Sequence, residues 1–310
     1  MRPAPPPEVV AGPAAGPAPA VKPATAAKPA PTPTAQPGPA LWFWRVLLAF
    51  ARREARTAAG YRVSTLVRGV GFCFSLLTLA FLARLVGASS NPHLLAYGGD
   101  YLAFAVVGLI VMDLQQVGVT NLSNRVRMAQ VMGVMEAELA SPVPAWMALG
   151  VGPVYEFVLA ILRVSVYVAL ASVVFGVHFP HVSWPSLALT FPLLVAAFGG
   201  LGLLSGAVTM LVRRTNPVAA LLGGASLLLS GVAYPVSVLP PALRWAGNLL
   251  PLTHALAASR GALLLGASPG ALARPLLALG AFAAVLVPSG AWLFWLALRY
   301  ARRDGSLTHF

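Results

Sequence analysis

Apolar residues along the chain fall in long blocks rather than in strict alternation. Six blocks reach or exceed the roughly 20 residues that a bilayer's hydrocarbon core demands. They predict spans at about 63–86, 101–122, 154–177, 185–212, 217–236 and 275–298. Each is predicted to be helical, because an unpaired backbone amide in lipid costs several kcal/mol and the alternating pattern of a barrel is missing. Six spans place both termini on one side. Arginine decides which: Arg45, Arg52, Arg53, Arg56 and Arg62 precede the first span, and Arg125 and Arg127 follow the second. Arg213 and Arg214 follow the fourth, and Arg299, Arg302 and Arg303 follow the sixth. These ends are predicted to be cytoplasmic.

Ahead of the first block the period changes. Arg45, Arg52 and Arg56 share one helical face, Phe43, Leu47, Ala51, Ala55 and Ala58 the other, with Trp42 and Trp44 near the start. Residues 41–62 therefore read as an amphipathic helix lying on the inner surface; the alternative is the cytoplasmic beginning of span one. Residues 1–40 are nearly all Pro, Ala, Gly and Thr. They hold too little apolar surface to offset the entropy of ordering, so they are expected to be a disordered cytoplasmic tail. Residues 304–310 form a second tail.

Composition agrees with the blocks. Hydrophobic residues make up 58% of the chain and charged residues 9%, against about a quarter charged in soluble domains. A net charge of +13 would suggest nucleic acid in a soluble protein, but here it reports orientation, and no nucleic-acid partner is expected. The lone Cys73 reads as a small core residue.

Polar residues inside the blocks carry the candidate chemistry. Asp113 lies near the middle of span two, where a carboxylate must be neutral, paired or facing water. Either it lines a translocation path, or it pairs with Arg163 of span three, with Glu156 seven residues before that arginine. Gln115 and Gln116 line a cavity or join helices. Gly199, Gly200, Gly202, Gly206, Gly223 and Gly224 permit close helix contact. Enzyme motifs are weak: there is no nucleotide-binding Gly-x-x-x-x-Gly-Lys-Ser/Thr loop and no His-Glu-x-x-His. The Gly-x-Ser-x-Gly match at Gly266–Gly270 carries Pro269, which lacks the N–H an oxyanion hole needs, so it reads as a loop. His178 and His181 have no third ligand in view, and no metal site is assigned.

Two connections stand out. After span two, NRVRMAQVMGVMEAELASPVPAW places Met128, Val131, Met132 and Met135 at helical spacing before Pro142 and Pro144. A short helix there fits either a partner's groove or the headgroup layer. After span five, Ser230–Leu264 is apolar enough for lipid yet holds four prolines, two arginines and a histidine. Broken backbone at membrane depth is tolerated only inside protein or against a wet cavity.

These two connections carry a resemblance. Gly133, Glu136, Leu139, Ser141 and Pro142 resemble the Gly-Thr-x-Glu-x-Leu-Leu-x-Ser/Thr-Pro segment of type-2 ATP-binding-cassette (ABC-2 type) transporter permeases, with Val134 and Glu138 at the Thr and first Leu positions. Ser230, Gly231, Tyr234, Pro235, Leu239, Pro240, Leu243, Pro251, Leu252, Thr253, His254 and Arg260 resemble that family's signature at the end of span five. The likeness covers about residues 41–303. It implies an all-α integral membrane protein with six transmembrane helices, an N-terminal interfacial helix and a re-entrant helical hairpin at 237–266. In that hairpin Leu239–Leu249 descends, Pro251–Leu265 returns, and Arg244, His254 and Arg260 lie near the outer headgroups or an exit vestibule.

By the same resemblance, residues 123–145 couple to a separate ATPase subunit through Arg127, Met132, Met135, Glu136, Glu138 and Ser141. ATP and Mg would be bound by that subunit, and no cofactor by this chain. The expected protein is an exporter permease of the inner membrane, surrounded by lipid and paired with a second permease copy in a homodimer or heterodimer. The alternative is an ion-coupled transporter or membrane-embedded enzyme built on Asp113 and Arg163.

Overall fold

The computed structural model describes residues 52, 62–86, 100–133, 145–179, 181–212 and 217–303. The tail 1–40, most of the expected interfacial helix 41–62 and residues 304–310 lie outside the described residues. The elements within them are helical: α1 (Arg62–Val86), α2 (Tyr101–Val131), α3 (Ala145–Phe175), α4 (Trp184–Val212), α5 (Pro217–Leu229), a 3₁₀ turn (Val236–Val238), α6 (Pro241–Asn248), α7 (Pro251–Leu264) and α8 (Ala273–Arg303). Among the described residues, α2, α4 and most of α3 and α8 are long and apolar enough to cross a membrane. The apolar stretch Gly69–Arg84 of α1 and the whole of α5 are shorter.

Several boundaries differ from those expected. α2 starts where the Asp100 carboxylate accepts from the amides of Leu102 at 2.8 Å and Ala103 at 3.1 Å, serving two otherwise free helix-end donors. It then runs beyond Leu122 to Val131, because the polar run Asn121–Arg127 lowers hydropathy without breaking a helix. Gly133 stops it, at φ 65°, with its N–H bonded to Gln130 O at 3.1 Å; a residue without Cβ takes this conformation at least cost. As far as Met132, the expected separate methionine helix is thus the end of α2. α3 begins at Ala145, earlier than 154, and α8 continues past 298 to Arg303. α5 stops at Leu229, short of the expected 236.

α2 is the central element. In its most hydrophobic stretch 72% of residues are buried, against 22% in α3 and 17% in α8, so α2 is wrapped by protein while α3 and α8 keep wide apolar faces outward. Such faces, with Leu162, Val173 and Trp292 exposed, suit lipid contact. Cys73 also faces outward, correcting its expected core place: α1 instead buries Phe72 and Leu76, one turn apart, and Phe72 stacks on Tyr167 of α3 with ring centroids 3.6 Å apart.

α4 packs between α2 and α8 at positions without side chains. A Cβ on Gly202 would strike Gly118 O, and one on Gly118 would lie 2.7 Å from Phe198 Cβ. On the other side, a Cβ on Gly200 would come within 2.7 Å of Leu286, and one on Gly290 within 2.8 Å of Gly200 O. Without a hydrophobic drive between helices in lipid, such close backbone contact supplies the attraction. Hydroxyls within the helices bond back to their own carbonyls, as Thr190 does to Ser186 O at 2.7 Å and Thr209 to Ser205 O at 2.8 Å, so these hydroxyls need no solvation by lipid.

Gly202→Ala should therefore force α2 and α4 apart, lowering the melting temperature of the detergent-purified protein by the equivalent of about 1–3 kcal/mol. Gly199→Ala, where an added Cβ meets nothing within 4 Å, should be neutral or slightly stabilising in the same assay.

Candidate functional site

The broken segment after α5 is organised around one side chain. Arg260, on α7, is 3% exposed. Its Nε donates to Phe104 O of α2 at 3.2 Å, Nη1 to Gly231 O at 2.9 Å and Nη2 to Val232 O at 2.7 Å. The guanidinium carbon lies 3.4 Å from the centroid of the Phe104 ring. The chain leaves the helix at Gly231, at φ 74°, and the carbonyls freed there must find donors inside the protein. A planar fork of five N–H groups can serve several at once. Gly108, one turn beyond Phe104, completes the fit: a Cβ there would strike Val232 O and sit 2.9 Å from Arg260 Nη2. Of the two places expected for Arg260, the outer headgroups or an exit vestibule, its burial decides neither; what it shows is a guanidinium turned inward onto the backbone break and onto α2.

Prolines punctuate the chain beyond Gly231. Pro241 and Pro251 occupy the first turns of α6 and α7, where a missing N–H is harmless. Leu239 and Leu250, each ahead of a proline, are extended. Tyr234 OH donates to Leu228 O, and Arg244 Nη2 donates to Ser237 O at 2.7 Å and Leu239 O at 3.2 Å. Thr253 Oγ1 donates to Gly247 O at 2.6 Å, and His254 Nε2 lies 2.9 Å from Asn248 O, closing the turn between α6 and α7. Gly247 lets α6 approach the end of α5, since a Cβ there would be 2.5 Å from Leu229 O. Between these pieces lies a cavity of about 270 Å³ lined by Ser230, Ser237, Arg244, Asn248, Thr253 and Arg260, with Leu256 and Ala257. The Ser230 hydroxyl is buried with no hydrogen-bond partner, a state that costs about 1–3 kcal/mol.

Within the bundle, Asp113 and Arg163 meet. Arg163 Nε donates to Asp113 Oδ2 at 3.1 Å. Nη2 is 3.0 Å from the same oxygen, close enough for ion pairing but not aligned as a hydrogen bond. The arginine and aspartate side chains are 14% and 27% exposed. Two residues further along α2, Gln115 Nε2 donates to Ser226 Oγ of α5 at 2.9 Å, while a Cβ on Gly223 would lie 2.8 Å from Gln116 Nε2. Gln115 and Gln116 thus join α2 to α5. At the far end of α2, Met128, Val131 and Met132 are 46%, 67% and 63% exposed, beside an exposed Arg127. Met135, Glu136, Glu138 and Ser141 lie outside the described residues, so of the segment expected to couple to an ATPase the structure describes only the part in α2 and the turn that ends it.

A family model described as ABC-2 type transporter matches residues 43–264, a span holding α1 to α7. The chain belongs to the ABC-2 type transporter family. It is a transport permease of the membrane. Its relatives include the Inner membrane transport permease YadH of Escherichia coli (strain K12) and of Shigella flexneri, each 27% identical over 220 residues, covering 70% of this chain and 82% of the relative. In this permease Arg260 ties the segment at Gly231 and Val232 to α2. Sequence reasoning missed Phe104, Gly108 and Ser226 as partners. The available signal was Gly108 in a run of large aliphatic residues, four places after Phe104 and so on the same helix face.

Arg260→Met should strip the donors that Arg260 supplies to the Gly231 and Val232 carbonyls at the break and destabilise the permease by roughly 3 kcal/mol or more, with new protease cleavage between residues 231 and 240. Arg260→Lys should recover only part, because one ammonium cannot match the fork. For the bundle pair, Asp113→Ala and Arg163→Met singly should each destabilise more than the double variant does, the pattern of a charge left without its partner; equal and additive losses would show that the pair is not coupled.

Proposed function

We propose that this chain is the membrane-spanning permease subunit of an ABC exporter, forming the substrate path while a separate ATPase subunit, binding ATP and Mg, drives it. The supporting observation is the reach of α2. Its 31 residues extend roughly 46 Å, against a hydrocarbon core of roughly 30 Å. With Asp100 at one boundary, the last turns stand clear of the other, and these carry Arg127 and the exposed Met128, Val131 and Met132. An unbranched, polarizable methionine surface on a helix suits a partner's groove.

In this reading α1 to α5 and α8 are the six spans, α6 and α7 form the re-entrant hairpin, and the arginine-rich ends, with both termini, face the cytoplasm across the inner membrane. Two permease copies pair, as a homodimer or heterodimer. Closure of the ATPases is transmitted through the segment from Arg127 to Ser141, which includes Glu136 and Glu138, and spans two and five shift to open the path outward. The Asp113 carboxylate is held by Arg163, which favours a bundle fastener over an ion carrier.

The test is a pull-down of the tagged full chain in mild detergent. A nucleotide-binding ATPase should co-purify, and the chain alone should not hydrolyse ATP. The paired substitutions Met128→Asp and Met132→Asp should cut recovery of the ATPase on the order of tenfold, the effect of about 1.4 kcal/mol, with the melting temperature of the permease unchanged. Undiminished recovery would remove the docking role, and nucleotide-independent transport driven by a proton gradient would remove the exporter reading.

A further inference from the structure

We propose that the cavity between α5, α6 and α7 is a binding site for a phosphate group. Donors come from different elements: the Ser230 hydroxyl just after α5, and the Asn248 amide and Arg244 guanidinium on α6. Arg244 bonds the backbone through Nη2 alone, and the side-chain amide of Asn248 makes no hydrogen bond among the described residues, so N–H groups remain on each. The Ser230 hydroxyl is fully buried and unpartnered, although a hydroxyl normally finds a bond inside protein. Its state is explained if its acceptor comes from a ligand.

Charge points the same way. The cavity is lined by two arginines and, among the described residues, by no carboxylate; from Phe157 to Arg303 the chain contains no Asp or Glu at all. Arg260 contributes positive potential while its donors hold the backbone. Donors from separate elements suit a tetrahedral anion better than a planar carboxylate, and Arg244 can make charge-assisted bonds to its oxygens. A volume of about 270 Å³ lies just below the roughly 300–1,000 Å³ of sites for drug-sized ligands, so the site takes a headgroup-sized moiety, with Leu256 and Ala257 against its carbon part. The phosphate could be carried by a lipid or be free in solution. Binding requires neither an ATPase nor a direction of transport, so its failure would leave the exporter reading untouched.

The experiment measures thermal stabilisation of the purified full-length chain in neutral detergent by inorganic phosphate, dioctanoyl phosphatidic acid and dioctanoylglycerol. Saturable stabilisation by phosphatidic acid but not by the glycerol is expected. Added stabilisation by inorganic phosphate identifies a site open to the free ion, and its absence identifies a lipid headgroup site. Ser230→Ala and Arg244→Gln should each weaken the apparent affinity on the order of tenfold, as loss of a charge-assisted bond does. Without ligand, Ser230→Ala should melt no lower than wild type, since its hydroxyl has no partner to lose. Absence of stabilisation by either phosphate compound, equal stabilisation by dioctanoylglycerol, or unchanged affinity in both variants would overturn the proposal.

Discussion

The fold depends on a rule that lipid enforces more strictly than water does: a helix can be interrupted within the protein only where the freed carbonyls are given donors. In this permease the donors arrive on one side chain. Arg260 reaches from α7 to the carbonyls of Gly231 and Val232 and to that of Phe104 on α2, tying the interruption, the hairpin and the central helix together. Its aliphatic stem is buried with α7 and its flat face rests on the Phe104 ring, so packing and hydrogen bonding favour the same position. The glycines at 108 and 231 are the counterpart: one removes a side chain so the two backbone segments can meet, the other supplies the turn.

The same rule explains the remaining polar residues. Asp113 with Arg163, Gln115 with Ser226, and Gln130 with Met210 O each link α2 to a different neighbour, α3, α5 and α4. Polar bonds between helices in a membrane contribute modestly one by one. Their value here is register, since each fixes the rotation of α2 against one partner, while the contact of Gly118 and Gly202 fixes its distance from α4.

Much of this was legible in the sequence because hydropathy and proline act locally. The long apolar blocks became α2, α3, α4 and α8, and Pro241 and Pro251 marked the starts of α6 and α7 where they stand. The pairing of Asp113 with Arg163 could be named because few opposite charges share the apolar region, although spacing alone left a path role open. Helix ends were less legible: hydropathy falls at Asn121, whereas the helix continues until Gly133 removes the steric preference for it. Least legible was Arg260. A charge in a greasy segment suggests the surface, and only the three-dimensional arrangement shows that carbonyls from two distant parts of the chain converge on it.

α2 runs without interruption from the Phe104 carbonyl to the methionine-bearing turns, and at Gly118 it meets α4 backbone to backbone. Measured along the axis, Gly118 lies about 21 Å from Phe104 and about 20 Å from Val131. Near its methionine end Gln130 ties this rod to Met210 O of α4, and at its other end Arg260 ties it to the hairpin through Phe104 O. The methionine-bearing turns and the anchor of the broken hairpin thus belong to one unbroken element, with no loop between them to separate one from the other.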